Sequence, residues 1–310
     1  MLKVMRRESA AEALEWACGL DVQAAKPGNV SLASPGHGMR AEDFLASAEA
    51  IVGPLTAPGR KVGERIAKAI EATWIRVGLN TNLGIVLLAA PLIQAALTVR
   101  PGESFEDAVR RVLEGLDADD AAEAFRAIVQ ANPAGLGAAE CFDVRGPARE
   151  SLLEAMRHAA HRDVIALQYA NGFSDVFGFG APRFLLAHER FQCEERATVS
   201  CFLGWLTRFP DTHIARKHGV DIAGVVSREA HQLEARWIEA GDSPAADELL
   251  RAWDASLKAR GLNPGTSADL TVASLLAARL RREIELQFSE RDVIPIPSRE
   301  RRWIPVADTR

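Results

Sequence analysis

Aromatic side chains make up only 6% of the 310 residues, with a single Tyr, and β-branched runs are scarce while Ala and Leu dominate. Sheets draw on aromatic and β-branched residues, so this composition points to helix. Basic residues are not in excess. The formal net charge is −5 and no basic stripe runs along the chain, which excludes duplex nucleic acid as a partner. The four cysteines, Cys18, Cys141, Cys193 and Cys201, form no Cys-x-x-Cys pair, so neither a zinc site nor a disulfide framework is indicated and buried thiols in a reducing compartment are expected. The first nine residues lack the continuous apolar stretch of a signal peptide, which makes the cytoplasm the expected compartment. A membrane span is lacking too. The longest apolar run, Leu83 to Leu97, falls short of the roughly 20 residues a bilayer needs and contains Pro91 and Gln94.

That run is the chain's most informative stretch. Asn80, Thr81 and Asn82 precede it, and their side-chain oxygens suit the free amides of a first helical turn. The helix that follows has no polar face and must sit inside a helical domain. Around it the pattern predicts further helices over Ser9–Cys18 (ending at Gly19), from Arg40, over 59–77 with Val62, Ile66, Ile70 and Trp74 as the apolar stripe, over Pro101–Leu116 and Ala118–Ala131, and from Pro147 to Ala160. Later ones are expected over Phe184–Phe209, after Asp211, over Val220–Ala240 and Glu248–Arg260, and from the Asn263-Pro-Gly-Thr-Ser-Ala-Asp269 turn onward. The expected fold is all-α, one domain over residues 1–285 followed by an extended or partly disordered tail over 286–310 rich in Pro and charge.

Between the helices lie polar loops with the residue types that hold anions. Lys26-Pro27-Gly28-Asn29 reads as a fixed turn presenting Lys26 and Asn29, able to hold a phosphate or simply to reverse the chain. His37 lies between two glycines. Glu42 and Asp43 open a helix, where the dipole alone accounts for them. Arg162 and Asp163 precede a loop carrying Asn171 and Asp175, and His213 and Lys217 share a helix face that suits an anion better than a metal. The 261–279 stretch repeats the pattern of residues 78–97: a polar, Asn-bearing mouth and then a nearly apolar helix. The two could form facing walls of one cleft.

As an ordered set, Lys26-Pro-Gly-Asn, Gly36-His-Gly-Met, Glu42-Asp43-Phe44 through Ser47, Asn80-Thr-Asn-Leu-Gly84 and Asn263-Pro-Gly-Thr-Ser-Ala-Asp269 resemble the triphosphoribosyl-dephospho-CoA synthase family, over nearly all of the chain to about Arg281. The resemblance implies an all-α transferase that moves the triphosphoribosyl group of ATP to the 2′-hydroxyl of dephospho-CoA with release of adenine. Lyase-associated members carry Ala-His-x-Asp-Met and Asn-Thr-His-Lys-Gly where this chain has Gly36-His37-Gly38-Met39 and Asn80-Thr81-Asn82-Leu83-Gly84. In this it is similar to relatives from archaea and methylotrophic bacteria, some encoded among genes for tetrahydromethanopterin-dependent one-carbon metabolism, so another ribosyl acceptor is the alternative substrate. A non-catalytic helical nucleotide-binding or scaffold protein is the other alternative.

Displacing a base from C1 of a ribose passes through an oxocarbenium-like state, which needs an anion near the ring, a positioned hydroxyl and a base. The expected phosphate and substrate contacts are Lys26, Asn29, Asn80, Thr81, Asn82, Arg162, His213, Lys217, Asn263 and Thr266. Asp43, Asp175, Asp269 and His37 are the catalytic candidates. Mg²⁺ is expected with ATP, with Asp43 and Asp269 as its candidate ligands. The sequence leaves the oligomeric state open, a homodimer included.

Overall fold

A computed structural model describes residues 5–133, 137 and 142–289, and these form an all-α protein. In chain order the helices are α1 (Arg7–Gln23), α2 (Ala41–Thr56), α3 (Val62–Val77), α4 (Leu83–Thr98), α5 (Phe105–Glu114), α6 (Ala118–Ala131), α7 (Leu152–Ala159) and α8 (Val164–Ala170). A π-helical turn over Val176–Gly180 leads into α9 (Ala181–Phe191), α10 (Glu194–Arg208), α11 (Thr212–His218), α12 (Val220–Ala240), α13 (Pro244–Ala259) and α14 (Gly265–Ser289). The loop over 31–39 adds two isolated bridges, Ser31 to Ser34 and Gly36 to Met39.

Helix α4 is the axis, and all but three of its residues are buried. With no wet face it must be wrapped, and α1, α2, α3, α5, α8 and α14 pack on it. Pro91 sits inside it without ending it. A second apolar core joins α10, α11, α12 and α13 to the mouth of α14 through Leu203, Ile214, Val226, Leu257 and Ala268. Helix α14, whose apolar middle belongs to the first core and whose start belongs to the second, joins the two.

Several expectations from sequence are corrected. Gly19 does not end α1, which runs on for another turn and buries Leu20, Asp21 and Val22. Pro147 does not open α7; Ser151 does, its hydroxyl accepting from Glu154 N. The expected helix over 184–209 is two, separated where Gln192 takes a left-handed φ of 50°. Trp74 is 42% exposed although it continues the Val62-Ile66-Ile70 stripe, and Arg65 on the same helix is buried, its guanidinium bonded to Leu55 O, Ala57 O and the Gln94 side chain. Helix α13 starts four residues before the expected one, at Pro244, which has no amide hydrogen to lose at a helix start. Helix α14 carries through Ser289, so residues 286–289 are helical and not part of an extended arm; the rest of the expected tail lies outside the described residues. No helix among the described residues is long and apolar enough to cross a membrane.

Candidate active site

Lys26-Pro27-Gly28-Asn29 closes a type II turn, with Asn29 N donating to Lys26 O at 3.1 Å and Gly28 at φ 81° in the third position. Only glycine fits there. A Cβ would also lie 2.8 Å from Pro264 Cδ and 2.9 Å from Leu257 Cδ1, so the turn is seated against the start of α14. Asp254 locks it by accepting from Gly28 N at 2.7 Å. Asn29 then donates to Asn263 Oδ1 at 3.0 Å, joining the first loop to the α14 mouth 234 residues later. His37 holds the neighbouring loop against this turn through Nε2 and Gly28 O, 2.9 Å apart. A carbonyl can only accept, so Nε2 carries the proton.

The mouths of α4 and α14 do face each other. Gly84, in the first turn of α4, has no room for a side chain because a Cβ would overlap the Asp269 carboxylate and Ile165. Between the two mouths, α7, α8 and α11 close a cavity of 690 Å³. Its polar side is lined by Asp21, Asn29, His37, Asn80, Thr81, Asn82, Asp163, His213, Arg216, Asn263 and Asp269, with Arg162 and Lys217 exposed at the rim. Its apolar side comes from α6 and α7 with Phe125, Ile128, Leu152 and Met156. Volume and lining fit a ligand site that buries most of one nucleotide-sized molecule.

Of the residues the sequence put forward, ten therefore line one cavity: His37, Asp269, Asn29, Asn80, Thr81, Asn82, Arg162, His213, Lys217 and Asn263. Four do not. The Asp43 carboxylate accepts from Arg40 N at 2.8 Å and caps α2. Asp175 accepts from Asn171 and pairs with Arg208 at 2.8 Å outside the cavity. Thr266 points into the protein, accepting from His213 N at 3.1 Å. Lys26 is buried beneath the cavity floor, donating to Asp21 O with its ammonium 3.1 Å from Asp21 Oδ1. Asp21 itself was missed. With Gly19 taken as a helix end, Asp21 fell in a connection, and no signal in the sequence pointed to it.

The charges are unevenly distributed. Asp163, which caps α8 by accepting from Ile165 N at 2.8 Å, is paired with Arg216 at 2.8 Å. Among the described residues Arg162 and Lys217 have no acidic partner. Burial pushes the Asp269 carboxyl well above the usual carboxylate range, and the nearby Asp21 and Asp211 push it the same way. The Asp21 carboxyl is raised by burial, with Lys26 opposing. His213 is lowered to about 4, by burial first and then by Arg216 and Lys217. It is a neutral hydrogen-bonding imidazole at pH 7 and not the cation its sequence neighbourhood suggested. Among the described residues Asn29 Oδ1 and Asn82 Nδ2 are buried without a hydrogen-bond partner, both on residues of the cavity wall, and Asp21 Oδ1 has only the Lys26 ammonium beside it. Buried polar atoms left unpaired at a concave surface mark where a ligand's polar groups go.

The family model for ATP:dephospho-CoA triphosphoribosyl transferases (CitG) matches residues 7–288, the whole helical body including every lining residue. The chain belongs to that family. A solved structure from Archaeoglobus fulgidus, provisionally named a triphosphoribosyl-dephospho-CoA synthase, is similar with 25% sequence identity and a TM-score of 0.60, over 76% of this chain and 97% of that one. No curated protein matches the chain. For a family of triphosphoribosyl transferases the cavity has the required parts: rim cations without an acidic partner among the described residues, a carboxylate inside, and two helix starts whose partial positive charge favours phosphate.

Proposed function

We propose that the protein transfers the triphosphoribosyl group of ATP to the 2′-hydroxyl of dephospho-CoA and releases adenine. The observation that carries the reading is the enclosure of Asn80, Asn82, Asn263, Asp269 and the rim cations Arg162 and Lys217 in one cavity, although 189 positions separate the first of these residues from the last. The triphosphate belongs at the rim, where Arg162 and Lys217 offer charge and neutral His213 a hydrogen bond. The ribose then lies deeper, between the helix mouths. There Asp269, held as a strong base by its surroundings, takes the acceptor's proton as the C1–nitrogen bond to adenine lengthens.

Among the described residues magnesium finds no ready-made protein site. Asp43 lies outside the cavity, so it and Asp269 do not share one, and among the described residues no three His, Cys, Asp or Glu side chains group around a point that would hold a metal. Mg²⁺ is expected to arrive on the phosphate oxygens of ATP, the usual mode for this cation.

Adenine release is the test. Purified protein is incubated with ATP and Mg²⁺, alone, with dephospho-CoA, and with a ribosyl acceptor of the tetrahydromethanopterin type, and free adenine is read by chromatography. The third arm is warranted because His37, Met39, Asn82 and Leu83, which lie in the two motifs that differ from the lyase-associated form, line the cavity. Adenine only with dephospho-CoA is the expected result; none with either acceptor overturns the reading.

A further inference from the structure

Two carboxylates line the cavity from helices that pack on each other, Asp21 near the end of α1 and Asp269 in the first turns of α14. Their surroundings differ. Asp21 is 3% exposed and lies against Lys26, a fully buried ammonium whose only acidic neighbour among the described residues is Asp21. Asp269 has no cation paired to it and no hydrogen-bond donor among the described residues. Two nearby carboxylates, one with a buried lysine against it and one without, form the arrangement that moves two titrations apart and so divides acid–base work from charge stabilisation. We propose that Asp21 is a second catalytic carboxylate, held ionised toward the ribose by Lys26 as a positioning residue, while Asp269 exchanges the acceptor's proton.

The assignment rests on the triphosphoribosyl transfer proposed above and divides its chemistry between two groups. The bond between ribose C1 and adenine nitrogen breaks with its electron pair leaving on the base. The positive charge that develops on C1 and the ring oxygen is met by the Asp21 carboxylate. The acceptor oxygen forms the new bond to C1, and its proton passes to Asp269 and then through solvent to the departing adenine, so the enzyme returns to its starting ionisation. Lys26 takes no part in bond making; it keeps Asp21 charged in a place where burial alone would neutralise it.

The groups that face the pair make the split testable by titration. Asp21 meets Lys26 from the turn, Asp269 from α14 and the Cys18 thiol one turn earlier on α1, while α2 and α4 present the uncharged Phe44, Asn82 and Ile85. Asp269 is faced by Asp21, by Asp211 and Arg216 around α11, and by Asp163 at α8. Removing the charge of Asp21, directly or by removing Lys26, leaves Asp269 with one fewer anion beside it. Asp21 is the foremost of the charges that raise Asp269, so the titration of Asp269 is expected to move to lower pH.

The experiment uses the full chain labelled with ¹³C at aspartate carboxyls, titrated by NMR as wild type, Asp21→Asn, Lys26→Met and the double variant, with the pH profile of kcat/KM for adenine release measured on the same four proteins. Expected are a resonance lost in Asp21→Asn that titrates below that of Asp269 in wild type, and an Asp269 resonance that shifts to lower pH in all three variants. The rising limb of kcat/KM should follow that shift, with rates at least ~100-fold down. If Lys26 and Asp21 form a pair that serves only folding, the double variant, free of any unpaired charge, recovers activity over either single variant and the Asp269 titration stays in place, which overturns the proposal. If wild type releases no adenine, the reaction assignment fails, while the NMR arm still decides whether Lys26 splits the two carboxyls.

Discussion

At the start of α4, Asn80 caps by accepting from Leu83 N at 3.3 Å, Thr81 Oγ1 lies 2.6 Å from Ser47 Oγ, and Asn82 Oδ1 accepts from Thr73 Oγ1 at 3.1 Å while its Nδ2 has no partner among the described residues; all three residues line the cavity. At the start of α14, Thr266 and Ser267 face the other way. Asp211 accepts from Ser267 N and Ser267 Oγ, both at 2.8 Å, and from Ile214 N at 3.0 Å, clamping α14 to α11. Two stretches with the same sequence logic, polar mouth then apolar helix, thus divide the labour. One mouth keeps Asn80 and the Asn82 amide nitrogen for a ligand. The other spends its side chains on its neighbour and leaves only Asn263, Gly265, Ala268 and Asp269 for the cavity. A polar helix start is therefore ambiguous in sequence; whether it binds a ligand or a second helix depends on what packs beside it.

The largest effect should come from Asp269, where the α14 mouth does reach the cavity. Asp269→Asn keeps the shape and removes the base, so kcat is expected to fall by ~10²–10⁴ in the adenine-release assay. Stability should move the other way. A carboxyl whose folded-state pKa is raised destabilises the fold at pH values above its unfolded one, so the neutral amide is expected to hold or increase the urea midpoint at pH 7. A fall in that midpoint with activity retained would make Asp269 a structural group.

Next comes the clamp itself. Asp211→Ala strands Ser267 N–H and Ile214 N–H inside the protein and is expected to cost about 2–4 kcal/mol of unfolding free energy. Asn80→Ala at the other mouth loses one long cap bond, worth about 0.5–1 kcal/mol, yet should raise KM for ATP because that side chain faces the ligand. Chemical denaturation beside steady-state kinetics checks both. If the two substitutions changed stability equally, the contrast between the mouths would not hold.

How far this could be read beforehand follows from which signals are local. The buried axis over Leu83–Thr98 was legible because an apolar run without a polar face has one destination. Helices α6 and α12 have the bounds their periodicity gives. The convergence of Asn80, His213 and Asn263 was only suggested, by two similar mouths, since nothing in a sequence fixes the rotation of one helix against another. Lys26 shows the limit most clearly. A lysine in a Pro-Gly turn reads as exposed, and it is buried because α1 continues past Gly19 to deliver Asp21 beneath it. Asp43 and Asp175 have the residue type of a catalytic group and the surroundings of a cap and an ion pair. Their exclusion from the cavity is set by packing that no short motif encodes.

A smaller effect is expected at the rim. Arg162 is exposed and without an acidic partner among the described residues, so its removal leaves no buried charge unpaired. Arg162→Ala should raise KM for ATP about tenfold with kcat little changed and unfolding unaffected, and the penalty should shrink as salt is added because an exposed charge is screened. An unchanged KM at low salt would move the triphosphate away from this rim.

The smallest effect is one of pH, and it tests whether α11 presents a neutral group between the two mouths. His213 is held down to about 4 in the folded protein against an ordinary value of 6.5, so between those values the unfolded chain binds a proton that the folded chain refuses. Stability is therefore lost as pH falls from 6.5 toward 4, is level for this group above 6.5, and loses nothing more from it below 4. The loss amounts to about 2 kcal/mol once partial solvent access at the cavity is allowed for. Since many carboxylates titrate in the lower part of the same window, the informative quantity is the difference between His213→Gln and wild type, measured by urea unfolding at half-unit steps. The variant should be the flatter of the two between pH 6.5 and 4. A variant curve parallel to wild type would mean that His213 is protonated in the folded state and contributes charge, not a neutral imidazole, to the phosphate side of the cavity.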